Sequence, residues 1–427
     1  MYKKRGIFVL CCLAAVLVVG CGQKENKNTE EQIQTDNKQD TTTDYKDNLK
    51  EDETQKAEKT EIQKIITVYS VNLDSGEIQS EEIKVNQLSG EEIWTALKER
   101  DVLTTDCKLN TCNVNTEEKK IAVIGIGGVG GYIAGLLAKA YPHVTMVARG
   151  ARAESIRKKG LVLHSDYKGE IVAKPERVVP IQDMGQQDYI FICVKNYSLA
   201  EVCESIRDMV TDDTVIIPVM NGVDPGENIR RLVGKGTVVD SLIYTVAFAN
   251  EDFSISQQDT FTWLCIGIKD ADERQQKKVA EVAEILKGAD IDYKDQGDIE
   301  VEIWRKYILN CAFNVMTAFY DNTIGELRRD PVKAQQYEKL VWEAASVGQA
   351  KGVALTDEHI NEVIHKFRYV HADNATSSLQ RDFRIRRKQT ELETFSGYIV
   401  KEAKRLGVSI PLSEKIYQGL MEMAEKF

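Results

Sequence analysis

The feature that most narrows what this chain can fold into is a glycine run between two apolar segments. Lys120-Ile121-Ala122-Val123-Ile124-Gly125 reads as a short buried strand and residues 133–140 as an apolar helix. Between them stands Gly125-Ile126-Gly127-Gly128-Val129-Gly130, a Gly-x-Gly-x-x-Gly pattern in a strand–turn–helix setting. Each glycine then has a physical purpose. Gly125 permits the tight turn, Gly127 lets the backbone approach a pyrophosphate, and Gly130 lets helix and strand lie close, with the helix N-terminus facing the phosphates. The pattern predicts dinucleotide binding by Gly125, Ile126, Gly127, Gly128, Val129 and Gly130; the plainer alternative is a tight structural turn.

The segments that follow repeat the unit. A second strand, Val144-Thr145-Met146-Val147, leads to Ala148-Arg149-Gly150-Ala151-Arg152. An acidic residue here would bind the ribose 2′-hydroxyl of NAD, whereas an arginine receives the 2′-phosphate of NADP through charge-assisted hydrogen bonds. Arg149 is the first candidate and Arg152 the second, so the expected cofactor is NADPH; a solvated loop arginine is the bland reading. Strands at 188–194 and 214–219 alternate with helices at 199–210 and 227–233. That order predicts an α/β fold with an open parallel sheet, whose ligands sit at the carboxyl ends of the strands. Lys195-Asn196 and Asn221-Gly222 stand at two such ends. Cys193 and Cys265 fall in strand-like runs, Cys203 and Cys311 on expected helices, and all four read as buried reduced thiols.

After Gly297 the pattern becomes helical. Residues 301–319 carry Lys306, Asn310 and Asn314 at steps of four, which groups them on one face of a helix. Three polar groups aligned on an apolar helix either bond to neighbouring helices or line a cleft for a small polar substrate. Asp330-Pro331 opens the next helix in cap-then-proline order, and Gly352 closes it. Further helices are expected at 356–369, 377–406 (with room for an interruption) and 413–427. The five histidines, His143, His164, His359, His365 and His371, show no metal-ligand spacing, so no metal site is expected.

Several of these pieces occur together, in order, in one family. Residues 119–427 resemble the ketopantoate reductases (2-dehydropantoate 2-reductases). The resemblance rests on the glycine motif, Val194-Lys195, Met220-Asn221-Gly222, and Trp304-Arg305-Lys306 with Asn310 and Asn314. Thr376-Ser377-Ser378 with Asp382, and Thr390-Glu391-Leu392-Glu393 with Gly397, complete it. It implies that NADPH delivers hydride to the ketone carbon of a 2-oxo acid, most naturally ketopantoate in pantothenate synthesis. It further implies that Lys306 is the general acid and that Asn310 and Asn314 orient substrate hydroxyl and carboxylate groups. Ser378 would bind the carboxylate, and Glu391 would hold both the hydroxyl end and the lysine. Lys195 and Asn221 would contact cofactor or substrate between the domains. Two departures matter. The step from Ser378 to Glu391 is one residue longer than the family pattern; a continuous helix would turn Glu391 by about 100°, so a bulge or break must absorb it. Ile324 stands where ketopantoate enzymes often carry a substrate-binding Asn, with Asn322 two residues away, which bears on ketopantoate as substrate and not on 2-oxo acid reduction. Open alternatives are a reductase of a different 2-oxo acid and a lipoprotein whose Rossmann-like half only binds a ligand.

The first 114 residues read differently. Lys3, Lys4 and Arg5 precede a short apolar run, and Val18-Val19-Gly20-Cys21 resembles a bacterial lipoprotein box, with Cys21 the lipidated residue. Residues 22–60 hold only four apolar side chains, Ile33, Tyr45, Leu49 and Ala57, and predict a disordered tether. Residues 61–114 regain structure as a small α+β module, with a strand at Ile65–Val71 and a helix opened by Ser89-Gly90-Glu91-Glu92; they resemble part of a spore-germination-type lipoprotein module. Cys107 and Cys112 could pair if exported. The expected division is therefore 1–21, 22–60, 61–114, a Rossmann domain at 119–296 and an all-α domain at 297–427. The net charge of −11 argues against a nucleic-acid partner. The expected partners are a small-molecule 2-oxo acid and a second copy as a homodimer, with membrane contact only through Cys21. NADPH points to the cytoplasm and the lipobox to a membrane lipoprotein; the chain reads as a lipoprotein front fused to a reductase.

Overall fold

The structure is a computed structural model that describes residues 65–71, 78–84, 118–296 and 298–427. The chain divides into two compact units, Met1–Thr111 and Cys112–Phe427, each taken by itself. In the first, β1 (Ile65–Val71) is the strand expected there, and it pairs antiparallel with β2 (Ile78–Lys84). The signal-like segment, Cys21, the tether, the Ser89 helix, Cys107 and Cys112 lie outside the described residues. Among the described residues no helix is long and apolar enough to cross a membrane.

The first strand described in the second unit is β3 (Ile121–Ile124), followed by α1 (Gly128–Ala140), β4 (Val144–Val147) and α2 (Gly150–Lys159). A hairpin of β5 (Leu161–Ser165) and β6 (Gly169–Ala173) precedes β7 (Arg177–Val179) and β8 (Tyr189–Ile192). Next come α3 (Leu199–Ile206), β9 (Val215–Pro218), α4 (Pro225–Val233) and β10 (Thr237–Val238). Six of these strands form a parallel sheet in the order β10-β9-β8-β3-β4-β7, the doubly wound order of a dinucleotide fold. Its central strands are apolar throughout because both faces are covered. Ala122, Ile124, Ile190 and Ile192 meet α3 and α4, while Ile121, Val123 and Phe191 meet α1.

A second sheet is the main element that alternation did not predict. A long hairpin of β11 (Asp240–Ala249) and β12 (Ile255–Gly267) joins β5 and β6. After α5 (Glu273–Gly288), β13 (Tyr293–Asp295) adds to β12. Helix α1 lies between the two sheets, which is why it is buried from Gly130 to Leu137. Its glycines answer to particular neighbours. A Cβ on Gly128 would collide with the backbone of Ala247 and Phe248 on β11, and one on Gly130 with the Gly125 carbonyl and, at 2.8 Å, with Cys193 Cβ. Gly125 has a left-handed φ of 92°.

The rest is helical: α6 (Ile299–Tyr320), α7 (Ile324–Arg329), α8 (Pro331–Ala350) and α9 (Asp357–His365) come first. They are followed by α10 (Ser378–Arg384), α11 (Tyr398–Leu406) and α12 (Pro411–Ala424). Asp330 caps α8 through the amides of Val332 and Lys333, as the Asp-Pro signal requires. The helical segment expected over 377–406, with room for an interruption, is interrupted. It stops at Arg384, Arg386 takes a left-handed φ of 50°, and helical structure resumes in a wide π-turn at Glu393–Gly397. The fold is thus a Rossmann-type sheet region with a helical C-terminal region.

The glycines yield a paired prediction. Gly130→Ala overpacks the α1–β3 contact and should cost about 1–3 kcal/mol in denaturant unfolding. A Cβ on Gly127 meets nothing within 4 Å, so Gly127→Ala should keep its unfolding midpoint while losing dinucleotide affinity in a titration.

Candidate active site

The glycine turn after β3 is closed by a bond from the Gly127 amide to the Gly125 carbonyl at 2.9 Å, and Gly131 N then opens the α1 ladder onto Gly127 O. No side chain caps α1, so its first amides are left for an outside acceptor. Ile126 is buried in the core and Val129 packs against it, which leaves their backbones to face a ligand. Arg149, exposed at the carboxyl end of β4, is the N-cap of α2, whose first turn carries no acidic residue. Arg152 lies over the Phe253 ring at 5.2 Å, and its buried Nη1 has no hydrogen-bond partner among the described residues. Open space at Gly127, uncapped amides and two arginines that have no carboxylate partner among the described residues suit a dinucleotide.

Lys195 follows β8 and Asn221 follows β9, so both stand at carboxyl ends of parallel strands. Glu391 reaches them from the helical region. Its buried carboxylate is ion-paired with the Lys195 ammonium and accepts a bond from Asn221 Nδ2 at 3.5 Å. The break after Arg384 makes this reach feasible, because the extra residue between Ser378 and Glu391 is taken up in a loop. The following π-turn is tied to α6 by the Tyr307 hydroxyl, which donates to Thr394 O at 2.6 Å, and by the Cys311 thiol, which donates to Phe395 O at 3.1 Å. Tyr307 and Cys311 stand one helical turn apart, and the sequence reading missed this support. Their apolar spacing gave no sign of it beyond a core position.

Lys306 projects from α6 toward the sheet region. Its ammonium donates to Ile243 O on β11 at 2.7 Å and to Asn221 Oδ1 at 3.3 Å. Burial pushes its pKa down from 10.5 to about 8, opposed by the negative charge of Glu391. The Asn221 amide therefore stands between the ammonium and the carboxylate, and Glu391 touches Lys195 directly and Lys306 only through Asn221. The Ile243 carbonyl is a partner that no side-chain motif could announce.

Asn310 and Asn314 are bonded to each other at 3.3 Å on the face expected. Asn314 Oδ1 also accepts from Ser378 Oγ at 3.2 Å and from Leu379 N at 3.5 Å, which clips α10 to α6. Ser378 is thus brought to the same place as Asn310 and Asn314, at the end of the face that begins with Lys306. Cys203, Cys265 and Cys311 are buried, Cys193 partly so, and all four are free thiols.

A nucleotide-ready turn, two lysines and a buried carboxylate meeting at the sheet's carboxyl edge define an oxidoreductase of the Rossmann type. Family models narrow this. Ketopantoate reductase PanE/ApbA matches residues 121–269, and its C-terminal model matches residues 298–424. The chain belongs to the ketopantoate reductase family. It is 29% identical to the uncharacterized oxidoreductase YkpB of Bacillus subtilis over 308 residues, 72% of this chain and 100% of that one. It is 26% identical to the 2-dehydropantoate 2-reductase of Mesorhizobium japonicum over 55% of this chain and 77% of that protein. The crystal structure of a PanE/ApbA family ketopantoate reductase from Ralstonia eutropha shares the fold at a TM-score of 0.65 and 21% identity, covering 72% of this chain and 99% of that one.

Because the Glu391 charge favours the Lys306 ammonium, Glu391→Gln should lower the Lys306 pKa further below 8. NMR titration of the lysine side-chain resonances checks this; an unchanged or raised value would contradict the coupling.

Proposed function

We propose that this chain reduces a 2-oxo acid to the 2-hydroxy acid with NADPH, 2-dehydropantoate to pantoate being the first reaction to test. The observation that carries the reading is the half-buried ammonium of Lys306, held between α6 and β11 beside the carboxyl ends of β8 and β9. The names of family relatives such as the Mesorhizobium protein support the substrate, and Arg149 supports the cofactor.

The residues that would hold the dinucleotide are the 125–130 turn through its amides, Arg149 at the 2′-phosphate, and Lys195 and Asn221 near the nicotinamide end. A bound nicotinamide supplies the hydride. Lys306 then has two tasks. Its positive charge stabilises the alkoxide developing on the ketone oxygen, and its proton completes the hydroxyl. The Ile243 carbonyl and the Asn221 amide use two of its three N–H bonds, which fixes the third for the substrate. Glu391 neutralises Lys195 and orients the Asn221 amide. Asn310, Asn314 and Ser378 offer hydrogen bonds to the substrate carboxylate and hydroxyl.

Lys306→Ala should lower kcat about 10²–10⁴-fold with 2-dehydropantoate while NADPH affinity is kept, as read from NADPH absorbance and a binding titration. A proton donor must be charged, so kcat/KM should be level below pH 8 and fall tenfold per unit above it. A profile level to pH 10 would remove Lys306 from this role. Arg149→Ala should raise the KM for NADPH far more than that for NADH; equal effects would remove the 2′-phosphate contact.

A further inference from the structure

Beside Lys306 lies a ring of side chains that the reaction above does not use. Tyr244 on β11 has its ring centroid 5.7 Å from Lys306 Nζ and 5.9 Å from Lys366 Nζ. Lys366 opens a wide helical turn, Lys366–Val370, that continues α9. His371 follows that turn and meets the Phe313 ring edge-on at 5.2 Å. Phe313 is seven residues beyond Lys306 on α6, two turns along the same face. The circuit Lys306, Tyr244, Lys366, His371, Phe313 therefore returns to the face that bears Asn310.

Its charge is unbalanced. Among the described residues Lys366 has no carboxylate at ion-pair distance, and Glu362, one turn before it, is paired with Arg305. Tyr244 stacks on Trp263 at 4.6 Å, and Lys294 lies 4.0 Å from the Trp263 ring centroid. One aromatic pair thus gathers three ammonium groups in a chain of net charge −11, and the Glu302 carboxylate whose charge also reaches Tyr244 is taken up by Arg305. The His371 Nε2 is buried with no hydrogen-bond partner among the described residues, and burial together with Lys366 and Arg328 keeps that imidazole neutral, its pKa lowered to about 4. A partly buried, unpaired ammonium beside an unpartnered imidazole is costly unless an anion completes it.

We propose that Lys366, with His371 beside it, is an anion subsite that admits 2-oxo dicarboxylates as a second substrate class, the distal carboxylate resting on Lys366 while the ketone faces Lys306. This rests on the reductase reading. The chemistry is unchanged: hydride from NADPH forms the C–H bond at C2, the C=O π bond breaks, and its oxygen takes the Lys306 proton. NADPH is oxidised, the 2-oxo group becomes a 2-hydroxy group, and Lys306 regains its proton from water. Lys366 makes and breaks no covalent bond.

The test compares 2-oxoglutarate with its 5-methyl ester, in which the distal carboxylate becomes an uncharged ester, by NADPH oxidation and by calorimetric binding to the full chain with NADP⁺. The ratio of kcat/KM, acid over ester, should exceed tenfold, fall near one in Lys366→Met and persist in Lys366→Arg. A ratio near one in the unaltered chain, a ratio that survives Lys366→Met, or no binding of either compound would overturn the subsite. Lys366-dependent binding of the dicarboxylate without NADPH oxidation by any 2-oxo acid would leave the subsite standing and remove the reductase reading.

Discussion

The structure turns on one desolvated charge. The Lys306 ammonium sits between a helix and a sheet that are far apart in sequence, and it is stable there because Ile243 O and Asn221 Oδ1 replace part of its lost water. Incomplete replacement is what lowers its pKa. An ordinary surface lysine is a poor proton donor near neutrality because it holds its proton too firmly. Burial loosens that hold, while Glu391, acting across the Asn221 amide, keeps the charged form from becoming too costly.

The surrounding architecture serves that arrangement. Parallel strands deliver Lys195 and Asn221 to one edge, since every strand of such a sheet ends on the same side. The helical region then supplies what the sheet lacks: a carboxylate from an interrupted helix, and a polar face on α6 braced by Tyr307 and Cys311. The interruption after Arg384 has a function in this frame. A continuous helix would turn Glu391 away, whereas a left-handed residue at Arg386 and a π-turn held by two α6 side chains bring it to Lys195. Wide helical turns of this kind recur where a side chain must be re-aimed.

The stacked pair of Tyr244 and Trp263 follows from the same geometry. Leu242, Cys265 and Ile299 pack the α6–β11 interface, with Tyr244, Trp263 and Ile303 against them. Lys306 comes next along that helix face, so the ring that seals the interface also borders the site. Ile324 is fully buried in the helical core.

What the sequence alone determined is the local and periodic part. The glycine spacing, the β-branched runs and the step of four from Lys306 to Asn314 each encode a conformation that neighbours in the chain enforce, and the parallel sheet, the α6 face and the Asp330 cap were legible for that reason. The β11–β12 sheet was not, because its strands are only partly buried, interrupted by a bulge near Tyr244, and lack the alternation that marks the Rossmann units. Nor could the chain order show that Glu391 meets Lys195 and not Lys306, that Gly128 is a glycine because β11 crosses it, or that Ile243 contributes its carbonyl. Those facts depend on contacts between segments tens to hundreds of residues apart. Such contacts leave no periodic trace, since any residue of suitable size and polarity can make them once tertiary packing has brought the backbones together.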